Sequence, residues 1–280
     1  MSEPPGGPIP NNAKVPGPAD GGAPSISVVL PAYDEEPNIE PMVRACLEAL
    51  PAMTTDFEVI VVDDGSSDGT CAAVERLVDE SYPSVRLLAH DENRGYGAAI
   101  RTGLQHSRKQ LVFYTDADRQ FDIAELAYFL PMMKDLDLVV GFRVYRYDAV
   151  LRSMISWVYN RIVRVLFRVR VRDVDCAFKL MRAEVRDKLS LETDDFFIDT
   201  EIVARARKWN FRIGEKGVRH YPRVAGETTV APGDVVRTLK TIARMWRRIY
   251  MPSESQRAEA ESIAGQVVAR EIVPGERDPV

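Results

Sequence analysis

Short apolar segments alternate along the chain with segments in which apolar residues recur every three or four positions. Apolar runs that predict strands lie at Ile26–Leu30, Phe57–Val62, Val85–Leu88, Leu111–Thr115 and Leu138–Val140. Helical spacing follows Pro37 and Gly95, and a further helix is predicted near Ile123–Met133. Such alternation is typical of an α/β fold, in which a single mostly parallel twisted sheet carries helices on both faces.

The two ends of the chain differ from this pattern. Residues 1–25 contain seven Pro and five Gly and hardly any large apolar side chain, which predicts a disordered N-terminal tail. Residues 251–280 are charged and Ala-rich and are expected to form a mobile C-terminal tail. One folded domain is therefore predicted over residues 26–250.

Composition excludes several classes of protein. The net charge of −5 makes nucleic acid an unexpected partner, and no run of 18 apolar residues predicts a transmembrane helix. The three Cys and three His are too scattered for a zinc site, and the Cys are expected to be reduced. No G-x-x-x-x-G-K-[ST] loop is present, and Gly95-Tyr96-Gly97 lacks the third glycine of a dinucleotide fingerprint. Close packing of a helix on a strand is an equally good explanation for that glycine pair.

Positive charge is concentrated in two stretches. Residues 141–172 hold eight Arg against one acid, Asp148, and residues 234–250 hold five basic side chains among apolar ones. Both stretches predict basic amphipathic helices, which suit an anionic membrane surface. An ordinary domain helix with a solvated basic face has the same pattern, so both interpretations stay open.

The most informative residues are Asp116 and Asp118, which directly follow the apolar run Leu111–Thr115. Open α/β sheets bind ligands at the carboxyl ends of their strands. In extended backbone, residues two apart point the same way, so the two carboxylates can share one Mg²⁺ or Mn²⁺ together with substrate phosphates. The alternative is a solvated Asp-x-Asp turn.

Three segments in this order resemble the family-2 glycosyltransferases of GT-A fold. They are Ser27-Val28-Val29-Leu30-Pro31-Ala32-Tyr33-Asp34-Glu35, Val61-Val62-Asp63-Asp64-Gly65-Ser66-Ser67-Asp68-Gly69-Thr70 and Asp116-Ala117-Asp118-Arg119-Gln120. Asp175-Cys176-Ala177-Phe178-Lys179 and Arg223-Val224-Ala225-Gly226-Glu227-Thr228 are similar to dolichol-phosphate mannose synthases and related polyprenyl-phosphate glycosyltransferases. The resemblance implies a Rossmann-like nucleotide-sugar-binding half at 26–140 and an acceptor half at 141–250.

The resemblance also implies roles for individual residues. Pro31, Tyr33 and Glu35 would line the nucleotide pocket, and Val62 and Asp64 would face the base. Asp116, Ala117, Asp118 and Gln120 would hold the metal and the diphosphate-sugar, and Arg143 and Arg223 would contact phosphate. The chain has Gly226-Glu227-Thr228-Thr229 where the family often has Gly-x-Ser-Lys, so Thr229 replaces one expected phosphate contact.

Several of these residues have a second explanation. Asp64 also suits a turn or a helix cap, and Arg143 and Arg223 also suit ion pairs. Asp199 and Glu201 are predicted either to act as a base, or to grip sugar hydroxyls, or simply to favour a helix N-terminus.

The implied activity is that of a metal-dependent inverting glycosyltransferase with Mg²⁺ or Mn²⁺. It would move a hexose, mannose or glucose, from a GDP- or UDP-sugar to a polyprenyl or dolichyl phosphate. The chain is expected to be cytoplasmic and peripheral at the inner membrane face. The alternatives are transfer to a hydroxyl of a glycan or small molecule, and a nucleotide-sugar-binding protein without turnover.

Overall fold

Eight strands form one mixed sheet in the part of the chain that the computed structural model describes, residues 22–79, 83–144, 150–221, 233–251 and 270–272. The strands are β1 (Ile26–Ala32), β2 (Phe57–Asp63), β3 (Val85–Ala89), β4 (Leu111–Thr115), β5 (Leu138–Arg143), β6 (Phe178–Arg182), β7 (Ile213–Val218) and β8 (Arg270–Ile272). Their spatial order is β7-β5-β6-β4-β1-β2-β3-β8. Only β6 and β8 run antiparallel to their neighbours. The predicted mostly parallel α/β sheet is thus confirmed.

Helices connect the strands and cover the sheet. They are α1 (Glu36–Ala49), α2 (Thr70–Asp79), α3 (Tyr96–His106), α4 (Val150–Phe167), α5 (Ala183–Lys188), α6 (Ile198–Lys208) and α7 (Gly233–Tyr250). The helix predicted near 123–133 is instead two 3-10 helices, Ile123–Tyr128 and Leu130–Lys134. Pro131 lies in the first turn of the second one, and its missing N–H prevents a continuous α-helix.

The alternation of side chains along each strand creates two cores. Val28 and Leu30 of β1 pack in the same buried cluster as Ile39 and Met42 of α1. Val29, between them, points to the other face, where α3, α6 and α7 pack. Because both faces are covered, the central strands β1, β2 and β4 are apolar almost throughout.

Helix α3 lies unusually close to the sheet. A Cβ at Gly103 would stand 2.2 Å from Cγ1 of Val29, so only glycine permits this approach. The close packing brings the N-terminal end of α3 to the carboxyl edge of β1, β2 and β4, where the polar loops gather.

Part of the expected C-terminal tail belongs to the sheet. Strand β8 pairs antiparallel with β3, with Ile272 opposite Leu87 and Arg270 opposite Ala89. Residues 252–269 and 273–280 of that tail, and residues 1–21 of the N-terminal tail, lie outside the described residues. None of the described helices combines the length and the apolar character that crossing a bilayer requires.

Candidate active site

The loops after β1 and β2 are joined by hydrogen bonds at the carboxyl edge of the sheet. The amide of Asp34 donates to Oγ of Ser66 (3.0 Å), and the amide of Ser67 donates to Oδ1 of Asp34 (2.8 Å). The side chain of Tyr33, 47% exposed, stands beside this junction in sequence, whereas Pro31 is buried in β1. The carboxylate of Glu35 accepts a hydrogen bond from Asn38 (2.6 Å).

Asp64 organises the loop that precedes α3. Its Oδ1 accepts hydrogen bonds from Nδ1 of His90 (2.6 Å) and the amide of Arg94 (3.0 Å), and its Oδ2 accepts one from the amide of Gly95 (2.8 Å). The structure therefore gives Asp64 the turn-stabilising role, and contact with a base stays a prediction. The side chain of Val62 is completely buried in the core. This burial contradicts the expectation that Val62 faces the base.

The glycines beside Tyr96 are explained by close packing. A Cβ at Gly95 would stand 2.3 Å from the carbonyl oxygen of Asp194, and one at Gly97 would stand 2.4 Å from that of Thr193. Gly95 also has a φ of +98°, a backbone conformation that glycine adopts readily. The loop at residues 193–196 thus lies directly against the start of α3.

Asp116 and Asp118 occupy the end of β4 in different surroundings. Oδ1 of Asp116 accepts a hydrogen bond from the hydroxyl of Tyr96 (2.7 Å). Asp118 is buried, and its Oδ1 accepts one from the amide of Gln120 (3.1 Å). The side chain of Gln120 donates to the carbonyl of Tyr221 (2.8 Å), and Ala117 between the two acids is buried.

The charge around this pair fits a divalent cation. Burial, together with the neighbouring Asp118 and Asp199, raises the pKa of Asp116 to about 7 against the lowering effect of Tyr96 and Lys179. A bound cation opposes both causes. The donors are carboxylate oxygens, which suit Mg²⁺ or Mn²⁺. Among the described residues no group of three or more His, Cys, Asp or Glu could hold a metal, so substrate oxygens and water would have to complete the coordination of a cation at Asp116 and Asp118.

A buried ion pair lies behind the acidic pair, and it was missed in the sequence. Lys179 of β6, fully buried, forms an ion pair with Asp199 and donates to the carbonyl of Cys176 (2.8 Å). The hydroxyl of Tyr114 also donates to Asp199 (2.7 Å). The available signal was a lysine inside the apolar run 178–181, because a lysine is rarely buried without a partner.

Asp175 is a second residue that sequence reasoning did not single out. Burial, together with the neighbouring Asp199 and Asp173, raises its pKa to about 7. The hydroxyl of Thr200 donates to Asp175 (3.4 Å) and shares a hydrogen bond with that of Tyr159 (2.7 Å). Asp175 stands in one of the segments that carry the family resemblance, so its position there was the signal.

Arg143 is engaged by an acid. Its Nε and Nη2 atoms donate to the two carboxylate oxygens of Asp173 at 2.7 and 2.9 Å. This is the ion pair that the sequence left as the alternative to phosphate binding. Two parallel charge-assisted bonds hold the guanidinium of Arg143 on Asp173. Contact between Arg143 and phosphate stays a prediction.

Glu201 has a structural role. It is fully buried and accepts hydrogen bonds from the amides of Glu192 (3.1 Å) and Thr193 (2.9 Å) and from Nε of Arg205 (2.6 Å). The structure thus contradicts the expectation that Glu201 acts as a base or grips sugar hydroxyls, because its oxygens are inaccessible and already engaged. Arg223 and Thr229 lie outside the described residues.

Known proteins are similar in sequence to most of this chain. A dodecaprenyl-phosphate galacturonate synthase from Rhizobium johnstonii is 29% identical over 220 residues, which are 78% of this chain and 64% of that protein. A dolichyl-phosphate beta-glucosyltransferase from Drosophila melanogaster is 33% identical over 216 residues, 69% of this chain and 66% of that protein. This chain thus spans about two thirds of the length of these relatives.

Solved structures share the fold. Glucosyl-3-phosphoglycerate synthase from Mycobacterium tuberculosis, in complex with Mn²⁺, UDP and glucosyl-3-phosphoglycerate, matches with a TM-score of 0.59. The match covers 82% of each chain at 17% identity, which shows a common α/β fold of GT-A type. The family model described as glycosyl transferase family 2 matches residues 27–190. The chain therefore belongs to glycosyl transferase family 2.

Proposed function

We propose that the chain transfers a hexose from a nucleotide-diphosphate sugar to a polyprenyl phosphate, with inversion at the anomeric carbon. The observation that carries the proposal is the pair Asp116 and Asp118 at the carboxyl end of β4, with the buried Asp199 close enough to raise the pKa of Asp116. The names of two relatives, a dodecaprenyl-phosphate galacturonate synthase and a dolichyl-phosphate beta-glucosyltransferase, support the same acceptor class.

Asp116 and Asp118 would hold Mg²⁺ or Mn²⁺. When bound, the cation supplies a Lewis acid for the charge that develops on the departing diphosphate. The chain's own residues prepare the site: Tyr96 holds one oxygen of Asp116, and the amide of Gln120 holds one oxygen of Asp118. A structural neighbour crystallised with Mn²⁺ and UDP supports a divalent cation in this fold.

The state of the buried acids favours a phosphate acceptor. Asp199 is compensated by Lys179, and Glu201 is buried with its oxygens engaged, so neither is free to remove a proton. A polyprenyl phosphate is ionised near neutral pH and attacks without a base. A hydroxyl acceptor needs a base within hydrogen-bond reach.

A hydroxyl acceptor is the second candidate, and Asp175 is the observation that favours it. A general base works best when its pKa lies near the operating pH, and the pKa of Asp175 is raised to about 7. If the acceptor is a hydroxyl, Asp175→Asn should abolish turnover. If the acceptor is a phosphate, the same variant should keep most of its turnover.

The sugar and the base are narrower proposals. The names of the relatives favour glucose or galacturonate over mannose, and the UDP complex of the structural neighbour favours UDP over GDP.

The membrane surface is proposed as a partner because α4 and α7 present exposed Arg and apolar side chains together. The inner, cytoplasmic face of the membrane is proposed as the place of action.

A transfer assay tests the proposal. Labelled UDP-glucose, UDP-galacturonate or GDP-mannose is incubated with the chain, Mn²⁺ and a polyprenyl phosphate in detergent, and label in the extracted lipid is counted. Lipid label that disappears in Asp116→Asn and Asp118→Asn supports the proposal. Label on a soluble hydroxyl acceptor supports the second candidate. Binding of a sugar nucleotide with neither transfer nor hydrolysis contradicts both and leaves a non-catalytic binding protein.

A further inference from the structure

The side chain of Tyr96 connects the first turn of α3 to the acidic pair. Its hydroxyl donates to Oδ1 of Asp116 (2.7 Å), and its ring stacks on that of Phe196, with centroids 5.0 Å apart and planes at 27°. Phe196 is 75% exposed, an unusual position for a phenyl ring. Among the described aromatic rings, the one that Phe196 stacks on is that of Tyr96.

The backbone around Tyr96 is held from two sides. On one side, the amide of Gly95 donates to Oδ2 of Asp64 (2.8 Å). On the other side, the amide of Gly97 donates to the carbonyl of Asp194 (2.8 Å), in the loop that carries Phe196. The backbone is therefore held at the residues on both sides of Tyr96, and the ring of Tyr96 is held by Phe196.

We infer that Tyr96 is a positioning residue that sets the orientation of the Asp116 carboxylate toward the divalent cation, and that Phe196 holds the Tyr96 ring in place. A carboxylate turns about a broad, nearly two-fold torsion, so a hydrogen bond to one oxygen selects which oxygen is presented to a cation. Groups that hold metal ligands in this way commonly determine metal affinity. The inference rests on the proposed function, because it needs a cation at Asp116.

Removing the hydroxyl alone tests the inference. Mn²⁺ is titrated into the full chain in the presence of UDP, and in a second series GDP, and free Mn²⁺ is followed by electron paramagnetic resonance. Tyr96→Phe should weaken Mn²⁺ binding by roughly 10- to 100-fold. Tyr128→Phe is the matched control, because Tyr128 is exposed and its ring contacts the ammonium group of Lys216. This variant should bind Mn²⁺ like the wild type.

A double-mutant cycle tests the role of Phe196. Phe196→Ala should weaken Mn²⁺ binding less than Tyr96→Phe does, and the double variant should be no weaker than Tyr96→Phe alone. Additive losses would show that Phe196 acts independently of Tyr96 and would overturn that part. In EDTA, each variant should keep the Tm of the wild type, and a lowered Tm for Tyr96→Phe with unchanged Mn²⁺ affinity would overturn the positioning role.

The wild type separates this inference from the proposed function. Mn²⁺ binding that is equal in wild type and Tyr96→Phe overturns the inference and leaves the proposed function standing. A wild type that binds no Mn²⁺ with either nucleotide overturns the proposed function and the inference with it.

Discussion

Lys179 lies directly opposite Tyr114 in the antiparallel register of β6 and β4, and both side chains contact the carboxylate of Asp199. Tyr114 precedes Asp116 by two residues, so the buried ammonium group lies just behind the acidic pair. Lys179 lowers the pKa of both Asp116 and Asp175 against the larger effect of burial. The ammonium group of Lys179 therefore acts on three neighbouring acids, Asp116, Asp175 and Asp199.

Replacing this cation should destabilise the protein. Lys179→Met leaves Asp199 buried without a counter-charge, which costs about 3–5 kcal/mol of the free energy of unfolding. Lys179→Met combined with Asp199→Asn should lose much less, because the carboxylate that pairs directly with Lys179 is then neutral as well. Urea unfolding of both variants measures the difference. Equal losses in the single and the double variant would show that the charge is not what matters.

Asp116→Asn should separate activity from stability. We expect turnover to fall on the order of 100-fold or more, because a ligand of the cation is lost. In EDTA at pH 8 the same variant should be at least as stable as the wild type, since the raised pKa of Asp116 shows that its charged form is unfavourable when folded. The transfer assay measures the turnover, and Tm in EDTA measures the stability. Asp122→Asn, which alters the acid that caps the 3-10 helix Ile123–Tyr128, is the matched control and should keep its turnover.

Asp175 should make stability depend on pH. Its pKa is about 7 when folded and 3.8 in the unfolded chain, so between these values the folded state binds more protons. Stability contributed by the neutral acid is therefore lost as pH rises from about 4 to 7. Asp175→Asn, which mimics the neutral acid, should gain Tm relative to the wild type as pH rises from 5 to 8 in EDTA. A constant Tm difference over that range would contradict the raised pKa.

The ends of α4 and α7 should bind anionic membranes. Nε1 of Trp246 donates to the carbonyl of Leu166 (3.1 Å), which joins the two helices. Exposed side chains on this surface are Val165, Leu166, Tyr250 and Met251, with Arg161, Arg168, Arg244 and Arg247 beside them. Arg244→Glu with Arg247→Glu should weaken binding to phosphatidylserine liposomes at least roughly 30-fold, since the loss of each basic side chain costs about 1 kcal/mol and each new carboxylate adds repulsion.

The control for that experiment has to avoid the core. Removing α7 altogether is unsuitable, because Ile242, Met245 and Ile249 of that helix are buried in the core. Arg44→Glu with Arg76→Glu makes the same change in net charge on α1 and α2, which cover the opposite face of the sheet. Sedimentation with liposomes should be unchanged for this control, and an equal loss in both variants would indicate a general charge effect.

Local patterns in the sequence predict the elements well. The five strands expected from apolar runs all occur, and Asp116 and Asp118 follow β4 as expected. Strand and helix periodicity depend on neighbours in sequence, so they can be read directly. The interruption at Pro131 was readable in the same way, from the proline itself.

Partners that are distant in sequence could not be predicted. The contacts of Arg143 with Asp173, and of Glu201 with the amides of residues 192 and 193, depend on where the chain returns to the sheet. A charged residue near a predicted site has the same sequence signature whether it contacts substrate or a buried counter-ion. Burial and pairing decided between these roles for Arg143 and Glu201, and both became evident only in the folded chain.

The pairing of Arg270–Ile272 with β3 means that residues far beyond the catalytic region close a border of the sheet. A chain cut before residue 270 leaves the backbone N–H and C=O groups of β3 open to strands of other molecules, a common route to aggregation. Recombinant versions that keep residues 270–272 avoid that hazard.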